Sequence, residues 1–226
     1  MSEPLALTNK IGRPKDQTKR KAILEAAKEL FLRKGYEGSS MDAIAAEAGV
    51  SKLTVYSHYC DKATLFSAAI TAKCEEQLPE RLFEFSPQAS IEGVLLKIGG
   101  HYHELISSRE AVQLQRIVVS MATQEPRLAR MFYEAGAQHM LNEMSRLLAL
   151  ATLTGRLRVD DPQKAAECFF CLLKGGEYFR VLIGFCAPMV GEEARQHVRD
   201  VVALFMHIHQ PVAGVAEVPK ALIASG

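Results

Sequence analysis

At 226 residues the chain is long enough for one large domain or two small ones, and its 48% apolar and 23% charged residues are ordinary globular proportions. No apolar run approaches the roughly 18 residues of a membrane span, and the opening MSEPLALTNK shows no cationic stretch followed by an apolar one, so neither a span nor a secretory leader is expected. Five cysteines, an odd number, give no even disulfide framework and fit a reduced, cytoplasmic chain. The net charge of +1 hides an uneven distribution: Lys10 to Lys34 holds nine basic residues against three acidic ones (Asp16, Glu25, Glu29). Such a cluster fits attraction to phosphates, or equally a solvated helix face with a basic tail.

In chain order, almost every segment has helical periodicity. Ile23, Ala27, Leu30 and Phe31 predict an amphipathic helix over about 18–34, closed by Arg33, Lys34 and Gly35. Ser39 or Ser40 caps a second helix whose stripe is Met41, Ile44, Ala45 and Ala48, ended by Gly49. Ser51 caps a third helix of about 52–59, and Asp61 opens a fourth that ends near Pro79. Beyond the connection FEFSPQAS, long helical patterns occupy about 88–107, 109–123, 126–151, 162–186 and 191–208. The predicted fold is therefore all-α, with about nine helices. Its expected divisions are a three-helix head (10–60), a larger bundle (61–210) and a loosely ordered tail (211–226) rich in small residues and proline.

Helices two and three, joined through Ala48-Gly49-Val50-Ser51, have the layout of a helix-turn-helix, with Gly49 permitting the sharp turn and Ala45 a close approach. Turning Val50 and Val55 inward leaves Lys52, Leu53, Thr54, Ser57 and His58 outward, on a helix whose N-terminus can enter a major groove. The stretch 12–66 strongly resembles the DNA-binding head of the TetR family of bacterial repressors. The resemblance rests on Gly35-Tyr36, Ile44-Ala45, Gly49-Val50-Ser51, Tyr56 and Asp61-Lys62.

The resemblance implies a homodimeric regulator on palindromic double-stranded operator DNA, most simply a repressor released by a small ligand, with activation on the same scaffold the alternative. It makes Lys52, Leu53, Thr54, Ser57 and His58 the base-reading set. Tyr56 and Lys62 match the family's phosphate contacts, and Ser39 and Ser40 its backbone anchors. Leu53 departs from the usual glycine or proline, and Ser57 from larger aromatic or basic residues. Lys62, in the first turn of helix four, also has free N–H groups beside it to favour an anion. Tyr56 has packing inside the head as its alternative. Lys15, Lys19 and Arg20 suit phosphate positioning, and Arg13 suits either a minor-groove arm or a solvated one.

A palindromic site needs two heads about 34–36 Å apart, hence a dimer. The last two helices carry more apolar residues than one face requires, and Phe170, Leu173, Phe179, Val198, Val202 and Phe205 are the expected interface, although a helix buried in a monomer would look the same. Tyr102, His103, Met121, Phe132, Tyr133, Met140 and Met144 are candidates for a pocket taking a small apolar or amphipathic effector, although methionines and aromatics at helical spacing are more often plain core. Gly99-Gly100 and Gly175-Gly176 inside helices imply a close crossing or a kink.

Cys168-Phe169-Phe170-Cys171 is a C-x-x-C inside an amphipathic helix. Buried, inert cysteines are expected there, with a thiol- or metal-responsive regulator the alternative. The pairs His101/His103 and His207/His209 point about 200° apart and cannot clasp one ion unaided, so no metal is expected. No catalytic signature is present, and neither enzymatic activity nor a cofactor is expected.

Overall fold

Four serines start helices by the same local chemistry. Ser40, Ser51, Ser90 and Ser108 sit in extended backbone, and each Oγ accepts a hydrogen bond from an N–H in the first turn of the helix that follows. These side chains satisfy N–H groups that a helix start leaves without intrahelical partners. The computed structural model describes residues 14–84 and 89–211, apart from the side chains of Pro14 and Lys15. The expectations for Arg13, the Lys15 side chain and the tail 212–226 lie outside the described residues.

All regular structure among the described residues is helical. The elements are α1 (Pro14–Lys34), α2 (Met41–Glu47), α3 (Lys52–His58), α4 (Lys62–Gln77), a 3₁₀ turn (Glu80–Phe83), α5 (Ile91–Ser107), α6 (Arg109–Met121), α7 (Pro126–Tyr133), a π turn (Glu134–Gln138), α8 (His139–Leu153), α9 (Pro162–Leu182) and α10 (Gly191–Ile208). The single helix expected over 126–151 is α7, the π turn and α8 in succession. The start expected at 88 moves to Ile91, where Ser90 caps, and α9 ends at Leu182 rather than 186, where Arg116 takes its last carbonyls.

The chain divides into two compact units within α4, between Ala72 and Lys73. In the first, Ile23, Leu30 and Phe31 of α1, Ile44 of α2, Val55 of α3 and Leu65 and Phe66 of α4 form the core. Phe66 meets Phe31 and Tyr36 edge-on, with ring centroids 5.2 and 5.3 Å apart. These are geometries that aromatic pairs favour beyond simple area burial.

In the second unit α8 packs on α9, and α5 on α9 and α10. Leu95 and Ile98 of α5, Met144, Leu147 and Leu148 of α8, Phe169 and Leu173 of α9, and Val202 and Phe205 of α10 fill its core. The two glycine pairs resolve differently. A Cβ on Gly99 would stand 2.9 Å from Val198 Cγ1, so glycine is needed there for α5 to cross α10 closely. Gly175 instead breaks α9, with φ 56° and ψ −177°.

The dimer residues expected from sequence need correction. Phe170, Leu173, Val198, Val202 and Phe205 are all buried within the protomer, and of the six only Phe179 is exposed, at 65%. A helix that lies between two neighbours buries most of its circumference, so a broad apolar stripe does not by itself identify an outer interface. The outward apolar residues near the end of α9 and on α10 are Phe179, Ile183, Phe185, Leu204 and Ile208.

Candidate nucleic-acid interface and bundle cavity

The turn between α2 and α3 is fixed by backbone geometry. Gly49 adopts φ 64°, its N–H donates to Ala46 O (3.2 Å), and the Val50 N–H reaches back to Ala45 O (3.0 Å). This bond pair around a left-handed residue closes α2 and redirects the chain at once into the Ser51 cap. Val55 then anchors α3 inward with no exposure, which turns the opposite face out.

On that face Leu53 is 80% exposed, and Lys52, Thr54, Tyr56 and Ser57 are also exposed or half-exposed. The polar members have internal partners. Thr54 Oγ1 shares a hydrogen bond with Ser51 Oγ (2.9 Å), Ser57 Oγ donates to Thr54 O (2.8 Å), and Lys52 Nζ lies 2.8 Å from Asp42 Oδ1. The hydrogen bond and charge of Asp42 raise the Lys52 pKa, which keeps the ammonium protonated. Tyr56, 43% exposed, does not pack inside the head; the buried aromatic of α3's end is Tyr59.

Three expected contacts are revised. His58 is drawn back rather than outward: its side chain is 12% exposed and its Nε2 lies 3.0 Å from Asp16 Oδ1 of α1. Ser39 is buried, and its hydroxyl donates to Gly35 O at 2.7 Å, closing the end of α1 instead of facing a backbone phosphate. Lys62 is held inside the head, with Nζ donating to Tyr36 O (2.8 Å) and lying 4.1 Å from the centroid of the Tyr36 ring. One of the N–H groups expected to favour an anion beside Lys62 is also taken within the head, because Asp61 Oδ1 accepts from the Thr64 N–H at 2.7 Å. Ser40 is exposed but its Oγ serves as the α2 cap; Lys19 and Arg20 are exposed on α1.

The Lys52–Asp42 pair gives a direct prediction. Replacing Asp42 with asparagine removes an exposed carboxylate beside the reading face and frees the Lys52 ammonium. Affinity for DNA of any sequence is expected to rise about three- to tenfold at low salt, with the gain fading as salt increases. Fluorescence anisotropy of a labelled duplex across a salt series checks this.

The second unit contains a cavity of about 210 Å³ where α9 breaks. Its lining includes His103, Leu173, Glu177, Tyr178, Met189 and His197. Of the sequence-expected pocket residues His103 alone lines it. Tyr102, Met140 and Met144 are buried in the core, Met121 and Phe132 are half-buried, and Tyr133 is exposed. The walls are held by specific bonds: His197 Nε2 donates to Leu173 O (3.0 Å), the Met189 N–H donates to Glu177 Oε1 (2.9 Å), and the Tyr178 hydroxyl donates to Gln115 Oε1. Arg116 donates to Val181 O and Leu182 O, both at 2.7 Å, satisfying the end of α9. Burial pushes the Tyr178 phenol up to about 12. These residues come from α5, α6, α9, α10 and the 183–190 loop, so no local spacing announces them.

Burial and the neighbouring His197 hold the His103 imidazole below its ordinary pKa, with Glu177 and Glu104 acting the other way. The sign is that of a buried neutral base. As pH falls through about 6.5 the unfolded chain takes up the proton before the folded one, so stability is lost on acidification. His103→Gln is expected to flatten the fall in melting temperature between pH 7.5 and 5.5, as read by calorimetry.

Two short helices joined by a glycine turn, the second presenting an exposed face ahead of a helical bundle, define a helix-turn-helix DNA-binding protein. Residues 23–69 match the model of the bacterial regulatory proteins of the tetR family, and residues 93–211 match that of the AefR-like transcriptional repressor C-terminal domain. The chain belongs to the TetR family and is a DNA-binding transcriptional regulator. It is 27% identical over 197 residues to the HTH-type transcriptional regulator YdeS of Bacillus subtilis (strain 168), covering 87% of this chain and 92% of that one. Among solved structures it is similar to a TetR-family regulator from Mesorhizobium loti MAFF303099 (TM-score 0.73, 28% identity, 88% of this chain and 100% of that one). It is also similar to the flavonoid-responsive regulator FrrA (TM-score 0.69, 31% identity, 87% and 100%). No helix among the described residues is long and apolar enough to cross a membrane.

Proposed function

We propose that this regulator is a cytoplasmic homodimeric repressor that reads a palindromic operator with α3 and releases it when a small apolar or amphipathic effector binds the bundle. The observation that carries the reading is the exposed face of α3, where Leu53 projects into solvent beside Lys52, Thr54 and Ser57. These four read base edges, with Leu53 suited to a thymine methyl. Tyr56, Ser40, Lys19 and Arg20 hold phosphates. His58, Ser39 and Lys62 act behind them by fixing α3 and the α1–α2 connection.

The dimer face is the outward apolar set Phe179, Ile183, Leu204 and Ile208, in place of the residues buried in the protomer core. A two-fold contact is self-complementary, so a glutamate at Phe179 meets its own symmetry-related face and doubles the unfavourable burial. The effector site is the cavity at the α9 break. Its 210 Å³ is below the roughly 300–1,000 Å³ of ordinary ligand pockets, so it suits a small effector or one that widens the break on entry. The similarity to a flavonoid-responsive regulator supports a small-molecule signal of some kind. To release DNA, the effector must bind the non-operator state more tightly; swinging the balance fully takes a preference on the order of 10⁴-fold.

Selection of genomic fragments by the purified protein tests the reading. The expected product is a short palindrome with half-sites one helical turn, about 34–36 Å, or a multiple of it apart. Recovery of asymmetric or unrelated fragments overturns the dimeric operator.

A further inference from the structure

The C-x-x-C of α9 does not have the burial that its two phenylalanines suggest. Cys168 and Cys171 are both exposed. The helical angle explains this. Phe169 and Phe170 both point into the core, and at about 100° per residue the cysteines on either side fall about 150° from the centre of that pair, in opposite senses. They therefore meet on the far side of the helix, one turn apart.

Residues three apart on a helix have Cβ atoms about 5–6 Å from each other, and a disulfide needs about 3.5–4.5 Å. Inside a regular helix the following turn resists that closure. Here the following turn is interrupted. Gly175 leaves helical geometry at φ 56° and ψ −177°, and Leu173 O accepts a bond from His197 Nε2. Cys171 thus belongs to the last turn of the first half of α9. The turn that joins Cys168 to Cys171 therefore has only that one turn beyond it, and tightening toward 3₁₀ geometry, which is common near helix ends, brings side chains three apart into eclipse.

We propose that Cys168 and Cys171 form a redox-active dithiol that closes reversibly to an intrachain disulfide in the presence of a hydroperoxide. The thiolate of one cysteine attacks the peroxide, cleaving the O–O bond and releasing an alcohol or water, and leaves a sulfenic acid. The second thiol attacks the sulfenic sulfur, the S–S bond forms and water leaves. In balance, two thiols and one hydroperoxide give one disulfide, one alcohol and one water, with two electrons passing from sulfur to the peroxide. A thiol reductant restores the pair by exchange. The remaining cysteines differ in setting. Burial pushes the Cys74 thiol up to about 11, Cys186 is half-buried, and Cys60 is exposed on the head with its sulfur 3.2 Å from Thr64 Oγ1.

Intact regulator treated with a stoichiometric amount of hydrogen peroxide, alkylated and digested with trypsin tests the assignment. Both cysteines fall in one peptide, AAECFFCLLK (165–174). The expected peptide resists alkylation and is lighter by about 2 Da than the reduced form, with the mass restored by dithiothreitol. Free thiols fall from five to three per chain, and Cys168→Ser or Cys171→Ser each abolishes the change. Circular dichroism confirms that the variants, altered at exposed positions, remain folded. Three results overturn the proposal: a disulfide joining this peptide to a second chain, a sulfinic or sulfonic peptide with no internal bond, or an unreacted pair while Cys60 is oxidised.

Discussion

Gly49→Val is expected to remove sequence-specific DNA binding while leaving the bundle folded. Gly49 stands at φ 64°, and the bonds from its own N–H and that of Val50 close α2. A left-handed conformation costs an L-residue about 1–2 kcal/mol, and a β-branched side chain is the least tolerant. The strain is relieved by unwinding the turn. α3 has seven residues, too few to persist as a helix once the Ser51 cap and the Val55 anchor are displaced. Operator affinity should fall about tenfold to a hundredfold, approaching non-specific binding. Anisotropy titration on the selected operator measures the loss, and calorimetry should show the bundle transition unchanged. Full retention of specific affinity would mean that the turn does not set the orientation of α3.

Phe169→Ala should produce the largest loss of stability of any single change considered. Phe169 has no solvent exposure, and its ring meets Phe205 edge-on at 5.1 Å and Phe170 at 5.7 Å. Removing a buried phenylalanine costs about 3–5 kcal/mol through lost transfer energy and the cavity left behind. In a chain of this size each kcal/mol lowers the melting temperature by about 2–4 °C, so a fall of about 6–20 °C is expected. Phe179→Ala is the contrasting control. Its side chain is exposed, so protomer stability should barely change while association between chains weakens. Thermal melts at two protein concentrations separate the two effects, because loss of a dimer contact is concentration-dependent and loss of core is not.

The head was more legible in sequence than the bundle because its determinants are local. A serine before a helix, a glycine after it and an apolar stripe three and four residues apart all act within a dozen residues, and Ser40, Ser51, Gly49 and Val55 stand where those patterns place them. His58 turns inward on a partner far away in sequence, Asp16 at the start of α1, whereas Ser39 turns in on the Gly35 carbonyl four residues back, a choice that two adjacent serines leave undecided between them. The last two helices failed for a geometric reason. Val202 and Phe205 face the core while Leu204 and Ile208 face out, yet all are apolar, so hydropathy alone cannot divide them. The break at Gly175 also spoils any single helical wheel drawn through α9. The exposure of the cysteine pair, by contrast, is written in local spacing. Two adjacent inward phenylalanines oblige the flanking cysteines to point outward, which the spacing of C-F-F-C already contains.

If the exposed face of α3 decides which DNA is bound, the effect of altering it must depend on base sequence. The most direct measurement is the position-by-position binding profile of Thr54→Ala on single-base variants of the selected operator, compared with the parent protein. The expected result is a loss confined to a few base pairs in each half-site, about 1–3 kcal/mol at each, with the salt dependence unchanged. An equal loss on every sequence, non-specific DNA included, would contradict it.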